Sequence, residues 1–329
     1  MPYYSLFSTT LLMGTLMCLS SNHWVYIWMG FEVNLMSFIP MILHSKANQE
    51  TEAAIKYFLT QALGSSLILL SSFSLLFHPF SIFSANSMLH TLIFAMMVKM
   101  GAAPFHFWLP QVMSGISWTS CMVLTTWQKI APLFIISSAS CTLSNKFLMG
   151  VATIGTFAGG LGGLNQTHLR PLLAYSSVGH LGWMIAASSI SLYNTTTYFL
   201  IYTFMTLTIM YIMHSHTSKS NYISSISGMP PTLSTSLMVL FLSLGGLPPF
   251  VGFLPKWLMI KSMISQNMTL FTSLMILGSL ISLFYYLSLF FNLFTNHSVP
   301  SMGTKMNMAV TTNMSIITTM ALGLTQMLI

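Results

Sequence analysis

Apolar runs of about twenty residues follow one another through this chain, with only short polar stretches between them. A helix needs ~20 mostly apolar residues to cross the hydrocarbon core of a bilayer. Only 4% of the residues are charged, against about 25% in a typical soluble domain. A water-facing surface cannot be built from that composition. About eleven spans would use ~220 residues, which leaves no room for a separate soluble domain.

The runs predict an all-α polytopic membrane protein with helices near 3–20, 22–44, 53–77, 88–112, 115–140, 147–164, 168–188, 194–213, 232–263, 268–294 and 307–327. The first run lacks a basic leader and a small-residue cleavage site, so it reads as a span and not as a removable signal. Two runs are interrupted: the fourth by Gly101 to Pro104, the ninth by Gly245, Gly246, Pro248 and Pro249. Both interruptions lead into the pattern P-F-x-x-x-L-P, at Pro104 to Pro110 and again at Pro249 to Pro255. This repeat suggests one membrane domain, 1–329, built as five-helix units at 1–140 and 147–294 plus a last helix at 307–327. An odd number of spans per unit would set the units in opposite orientations, the inverted-repeat plan of many transporters.

The only acids are Glu32, Glu50 and Glu52, the latter two read as loop residues, and the formal charge is +7. The ten basic residues are dispersed, which argues for membrane topology and against a nucleic-acid surface. Lys46, Lys56, Arg170, Lys219 and Lys305 fall on one face, Lys146 and Lys261 on the other. By the positive-inside bias the N-terminus lies on the more basic face and the C-terminus opposite it. Cys18, Cys121 and Cys141 show no C-x-x-C spacing, so neither an iron-sulfur site nor a disulfide framework is expected.

Four ionisable residues fall near the centres of predicted spans: Glu32, Lys99, Lys129 and Lys256. Each costs about 2.5–3.5 kcal/mol to insert, so four cost on the order of 10 kcal/mol. A Glu32–Lys99 ion pair could serve only to tie two helices together. No further carboxylate is then available for Lys129 or Lys256. Burial penalises the ammonium form of any lysine, which suits such a group to take up and release protons. Proline placement points the same way, since a helical proline leaves the carbonyl four residues earlier without its amide partner. Pro132 would free the carbonyl of Gln128, beside Lys129, and Pro104 that of Met100, beside Lys99; a simple packing kink is the alternative at each.

His180 and His106 also fall within predicted spans, each either a relay group or a core histidine with a satisfied hydrogen bond. No histidine pair has the spacing of a haem or metal site, so no metal is expected. Thr51, Glu52 and Lys56 read as a capped helix start with an i, i+4 pair. Gly155, Gly159, Gly160, Gly162 and Gly163 read as small-residue helix packing and not as a phosphate loop, because no strand precedes them.

The stretches SSNHWVYIWMGFEVN, TEAAIKYFLTQ, VKMGAAPFHFWLPQV, TTWQKIAPLF, GGLGGLNQTHLRPLLAYSSVGHLGW and LGGLPPFVGFLPKW resemble the antiporter-like membrane subunits of respiratory complex I, NADH dehydrogenase (ubiquinone), in their animal mitochondrial branch. The resemblance covers all but the last ~60 residues. It implies eleven helices in two inverted five-helix repeats, one broken helix in each, and places the family's proton-handling groups at Glu32, Lys99, Lys129 and Lys256. Many relatives carry Glu where this chain has Gln111, so no acid role is assigned there. The implied location is the mitochondrial inner membrane, N-terminus on the matrix side and C-terminus on the intermembrane-space side, among the other membrane and peripheral subunits of the complex and membrane lipid.

No flavin, nicotinamide or iron-sulfur motif occurs in the chain. NADH, FMN, iron-sulfur clusters and ubiquinone are therefore expected on other subunits, and this chain contributes a pump module to an H+-translocating NADH:ubiquinone reductase. In that scheme Glu32 holds Lys99 charged, weakening of the pair during turnover releases the Lys99 proton, Lys129 relays it and Lys256 gates the exit. A cation/proton antiporter subunit of the same superfamily, or a structural membrane scaffold, are the other readings.

Overall fold

The computed structural model describes residues 2–43, 48–76, 85–139, 145–216 and 231–295. Within them lie thirteen α-helices and no β-strand. The chain divides into two compact units, Met1–Leu148 and Met149–Ile329.

In the first unit, α1 (Pro2–Ser20), α2 (Trp24–Ile42) and α3 (Asn48–Leu76) are followed by two short pairs, α4 (Ala85–Met100) with α5 (Trp108–Gly115), and α6 (Trp118–Thr125) with α7 (Ile130–Ala139). The helix α8 (Asn145–Gly163) begins at the unit boundary. It leads into α9 (Leu169–Ile190), α10 (Leu192–His216), the pair α11 (Pro231–Gly245) and α12 (Phe253–Ser265), and α13 (Thr269–Thr295). Several starts thus recur about 145 residues apart: Trp24 with Leu169, Ala85 with Pro231, Trp108 with Phe253. The predicted helix at 307–327 lies outside the described residues, as do Lys46, Lys219 and Lys305.

Among the described residues four helices are by themselves long and apolar enough to cross a membrane: Trp24–Ile42, Asn48–Phe73, Leu192–Ser215 and Thr269–Phe294. The others are divided by breaks or are shorter or more polar. Exposed apolar side chains such as Leu63, Leu70, Phe284 and Phe291 cover the outer faces, as a lipid-facing surface requires. On α2 the buried residues Ile27, Phe31, Asn34, Leu35, Phe38 and Met41 repeat at helical spacing. Hydroxyl groups within the helices bond inward, Ser71 to the Ile68 carbonyl, Ser188 to that of Ile185, Thr206 to that of Tyr202. A hydroxyl-rich sequence can therefore remain in an apolar setting with its polar groups satisfied.

Glycines set the closest helix crossings. A Cβ on Gly14 would lie 2.9 Å from the Gly30 carbonyl oxygen and 3.0 Å from the Asn34 nitrogen; one on Gly159 would lie 2.4 Å from the Gly179 nitrogen and 2.7 Å from the Tyr175 oxygen. The glycine cluster of α8 is thus packing, as its spacing suggested: Gly155 faces Gly182, and Gly163 faces the Tyr285 ring.

The start of one helix differs from expectation in two respects. The third helix begins at Asn48, so Glu50 stands in its first turn and not in a loop, which places an acid at the positive end of the helix dipole. Thr51 is no cap; its hydroxyl donates to the Asn48 carbonyl, while Glu52 and Lys56 form the expected i, i+4 ion pair.

Candidate functional site: lysines at helix interruptions

The two breaks open in the same way. Gly101 has φ +70° and Gly246 φ +80°, a region where a residue with a Cβ is strained. At the first, the amide of Gly101 donates to the Val98 carbonyl at 3.3 Å and that of Ala102 to Met97 at 3.0 Å. At the second, Gly246 donates to Ser243 at 3.0 Å and Leu247 to Leu242 at 3.5 Å. Each is a Schellman C-cap with glycine at the left-handed position. Pro104, Pro248 and Pro249 lie beyond these caps, and the Ala103–Pro104 peptide is cis.

Glycine, and not proline, therefore ends the helices. Pro104 sits outside α4 and cannot free the Met100 carbonyl by interrupting a helix. Pro132 is the third residue of α7, in a first turn whose amides lack intrahelical partners anyway. Pro110, Pro171 and Pro255 hold the same third position in α5, α9 and α12. The fifth predicted span is more severely broken than the sequence indicated: α6 ends at Thr125, and a 3-10 turn spans Trp127–Lys129 before α7 begins.

Among the described residues, the three buried lysines stand at such interruptions. Lys99 is the penultimate residue of α4, Lys129 closes the 3-10 turn, and Lys256 is the fourth residue of α12. They are 5%, 1% and 7% exposed. Lys256 Nζ donates to the Gly245 carbonyl at 2.8 Å, occupying the last acceptor of α11. The Lys256 ammonium is thereby held at the C-terminal end of a half-helix, where the dipole favours a cation.

Glu32 and Lys99 do not form a direct ion pair. The Lys99 ammonium lies 4.5 Å from the centre of the Phe31 ring, and Glu32, the next residue on α2, is partly exposed. The stem of Lys99 passes Gly64, where a Cβ would lie 2.9 Å from its Cγ. Gln61 Nε2 donates to the Lys99 carbonyl at 3.1 Å, and Gln128 Nε2 donates to Asn34 Oδ1 at 2.9 Å. Sequence reading passed over Gln61, Asn34 and the side chain of Gln128; each is an amide inside an apolar run, the available signal for a buried polar link.

Of the histidines, His106 lies in the first break and not within a helix, its Nδ1–H donating to the Pro104 carbonyl at 3.2 Å. His180 remains within α9, with Nδ1 3.0 Å from Tyr198 Oη. His180 and Lys256 line one small cavity in the second unit. Gln111 is exposed, on a groove with Lys56 and Trp108.

Residues 21–282 match the family model described as NADH:quinone oxidoreductase/Mrp antiporter, TM. The chain belongs to this family. Among similar proteins of this antiporter group, the NADH-ubiquinone oxidoreductase chain 2 of Locusta migratoria is 44% identical over 283 residues, covering 85% of this chain and 82% of that one. That of Lumbricus terrestris is 42% identical over 289 residues, covering 87% and 85%. Among solved structures, a chain of respiratory complex I from Thermus thermophilus superposes with a TM-score of 0.81 at 23% identity, covering 98% of this chain and 78% of that one. A chain of the Mrp complex from a Dietzia species gives 0.82 at 14%, covering 98% and 75%. These last two likenesses speak to the fold alone, and both are to chains of respiratory or Mrp complexes.

Proposed function

We propose that this chain is a proton-translocating membrane subunit of an NADH:ubiquinone oxidoreductase of the mitochondrial inner membrane, with Lys99, Lys129 and Lys256 as its proton-carrying groups. The observation that carries this reading is the placement of the buried lysines Lys99, Lys129 and Lys256, among the described residues, at helix interruptions. A break in hydrocarbon exposes backbone groups that must be met by protein or water. An ammonium there serves as a donor to those groups when protonated, and its proton becomes mobile when the contact is loosened.

In this scheme Glu32 stabilises the Lys99 ammonium through space, without a locking contact, so a small change in the field of neighbouring subunits shifts the balance. Lys129 relays the proton, and Lys256 gates its exit. Moving one charge across the membrane takes about 2.3 kcal/mol per 100 mV, the scale of one to two tenfold steps in proton affinity. Eleven crossings in two inverted repeats, N-terminus in the matrix and C-terminus in the intermembrane space, complete the proposal. NADH, FMN, iron-sulfur clusters and ubiquinone belong to other subunits, and electrons do not pass through this chain. The names of its relatives favour this reading over an antiporter that works without NADH.

The test is Lys129→Met in the assembled complex, measured as protons released per NADH oxidised. The expected result is a fall in that ratio. Normal assembly with undiminished pumping would overturn the role given to Lys129.

A further inference from the structure

In the second unit a cavity of about 10 Å³ is lined by Thr156, Ser176, His180, Lys256, Ser282 and Tyr286, from α8, α9, α12 and α13. Tyr286 is 1% exposed, and its hydroxyl stands near those of Ser176 and Tyr285 without a hydrogen bond of 3.5 Å or less to either. A buried orphan hydroxyl costs free energy that a phenylalanine of nearly the same shape would avoid. The volume fits about one water molecule, provided that two to four polar groups surround it. We infer that Tyr286 binds a structural water in this cavity and so positions it against Lys256, which makes Tyr286 a positioning residue of the proton path. This rests on the reading of Lys256 as a proton-carrying group.

The polar inventory of the cavity suits a water. The hydroxyls of Ser176, Ser282 and Thr156 already donate to the carbonyls of Leu173, Ser279 and Thr153, which leaves their oxygens as acceptors. Lys256 spends one of its three N–H groups on Gly245, and the others remain donors. A water can therefore accept from Lys256 and donate to a serine or threonine oxygen, while Tyr286 supplies either role. The ring of His180 on the same wall is held through Nδ1 by Tyr198 Oη at 3.0 Å, and the Tyr202 ring centre is 5.2 Å from its own. The His180 wall of the cavity is thus braced by two tyrosines of α10.

The experiment uses the assembled complex with Tyr286→Phe, which keeps the ring and removes only the hydroxyl, beside Lys256→Met. Two measurements are made, protons released per NADH oxidised and a high-resolution density map of the unsubstituted complex. The expected results are a lowered proton ratio in both variants and ordered water density within hydrogen-bond distance of Tyr286 Oη. A Tyr286→Phe complex with an unchanged ratio, while Lys256→Met lowers it, overturns this inference and leaves the proposed function standing. An unchanged ratio in both overturns the role of Lys256 itself. A map without density at Tyr286 Oη overturns the inference even where the variant fails to assemble.

Discussion

The ammonium of Lys256 donates at 2.8 Å to the carbonyl of Gly245, the last residue of α11, and the next residue, Gly246, is the left-handed glycine that stops that helix. Cation, terminal acceptor and cap form one unit. A Cβ added to Gly246 would lie 2.8 Å from Lys256 Nζ. Gly246→Ala therefore carries about 1–2 kcal/mol of backbone strain and also pushes the ammonium off its carbonyl. The expected outcome is a lower melting temperature of the purified complex together with a reduced proton-to-electron ratio. A loss of stability alone would show that the contact does not matter to transport.

The re-entry side of the same break is tighter. A Cβ on Gly252 would fall 1.8 Å from the Ser243 carbonyl oxygen, a backbone atom that cannot rotate away. Gly252→Ala should cost more than the ~1–3 kcal/mol of ordinary overpacking. The complex is expected to lack this subunit, as read by native gel electrophoresis and immunodetection.

The hydrogen bond from Gln128 to Asn34 links α2 to the turn that holds Lys129. Such amide bonds between membrane helices contribute about 0.6–1.7 kcal/mol. A double-mutant cycle of Asn34→Leu and Gln128→Leu, followed by thermal unfolding, should show coupling of that size. Additive effects would mean that the two amides act separately.

The α8–α9 crossing supplies its own control. Gly159→Ala meets the Gly179 backbone at 2.4 Å and should cost about 1–3 kcal/mol, whereas Gly150 has nothing within 4 Å of an added Cβ. Gly150→Ala should be neutral or stabilising by up to ~1 kcal/mol. Thermal unfolding of the two variants side by side checks both.

A membrane protein of many helices was legible from apolar runs of about twenty residues, such as the one around Phe31, Leu35 and Phe38, and from charges too few to cover a soluble surface. Gly101 and Gly246 announced two breaks because a glycine followed by prolines has few other uses inside an apolar run. The third interruption, at Trp127–Lys129, was hidden: Pro132 looked like a kink in one long helix, whereas it sits in the first turn of a new one. A proline's local geometry suits both settings, and only the backbone path distinguishes them.

Sequence by itself determined that Lys99, Lys129 and Lys256 would lie in apolar surroundings, because transfer free energy depends on residue type and neighbourhood alone. It also determined that the two broken segments would share a cap, since a left-handed turn selects glycine. Only the tertiary structure decided what those lysines meet. Lys256 faces a carbonyl eleven residues earlier, Lys99 a ring on α2 and not the Glu32 carboxylate, and Asn34 reaches Gln128 across 94 positions. Such partners are set by how helices cross, and the crossings depend on contacts between residues far apart in the chain.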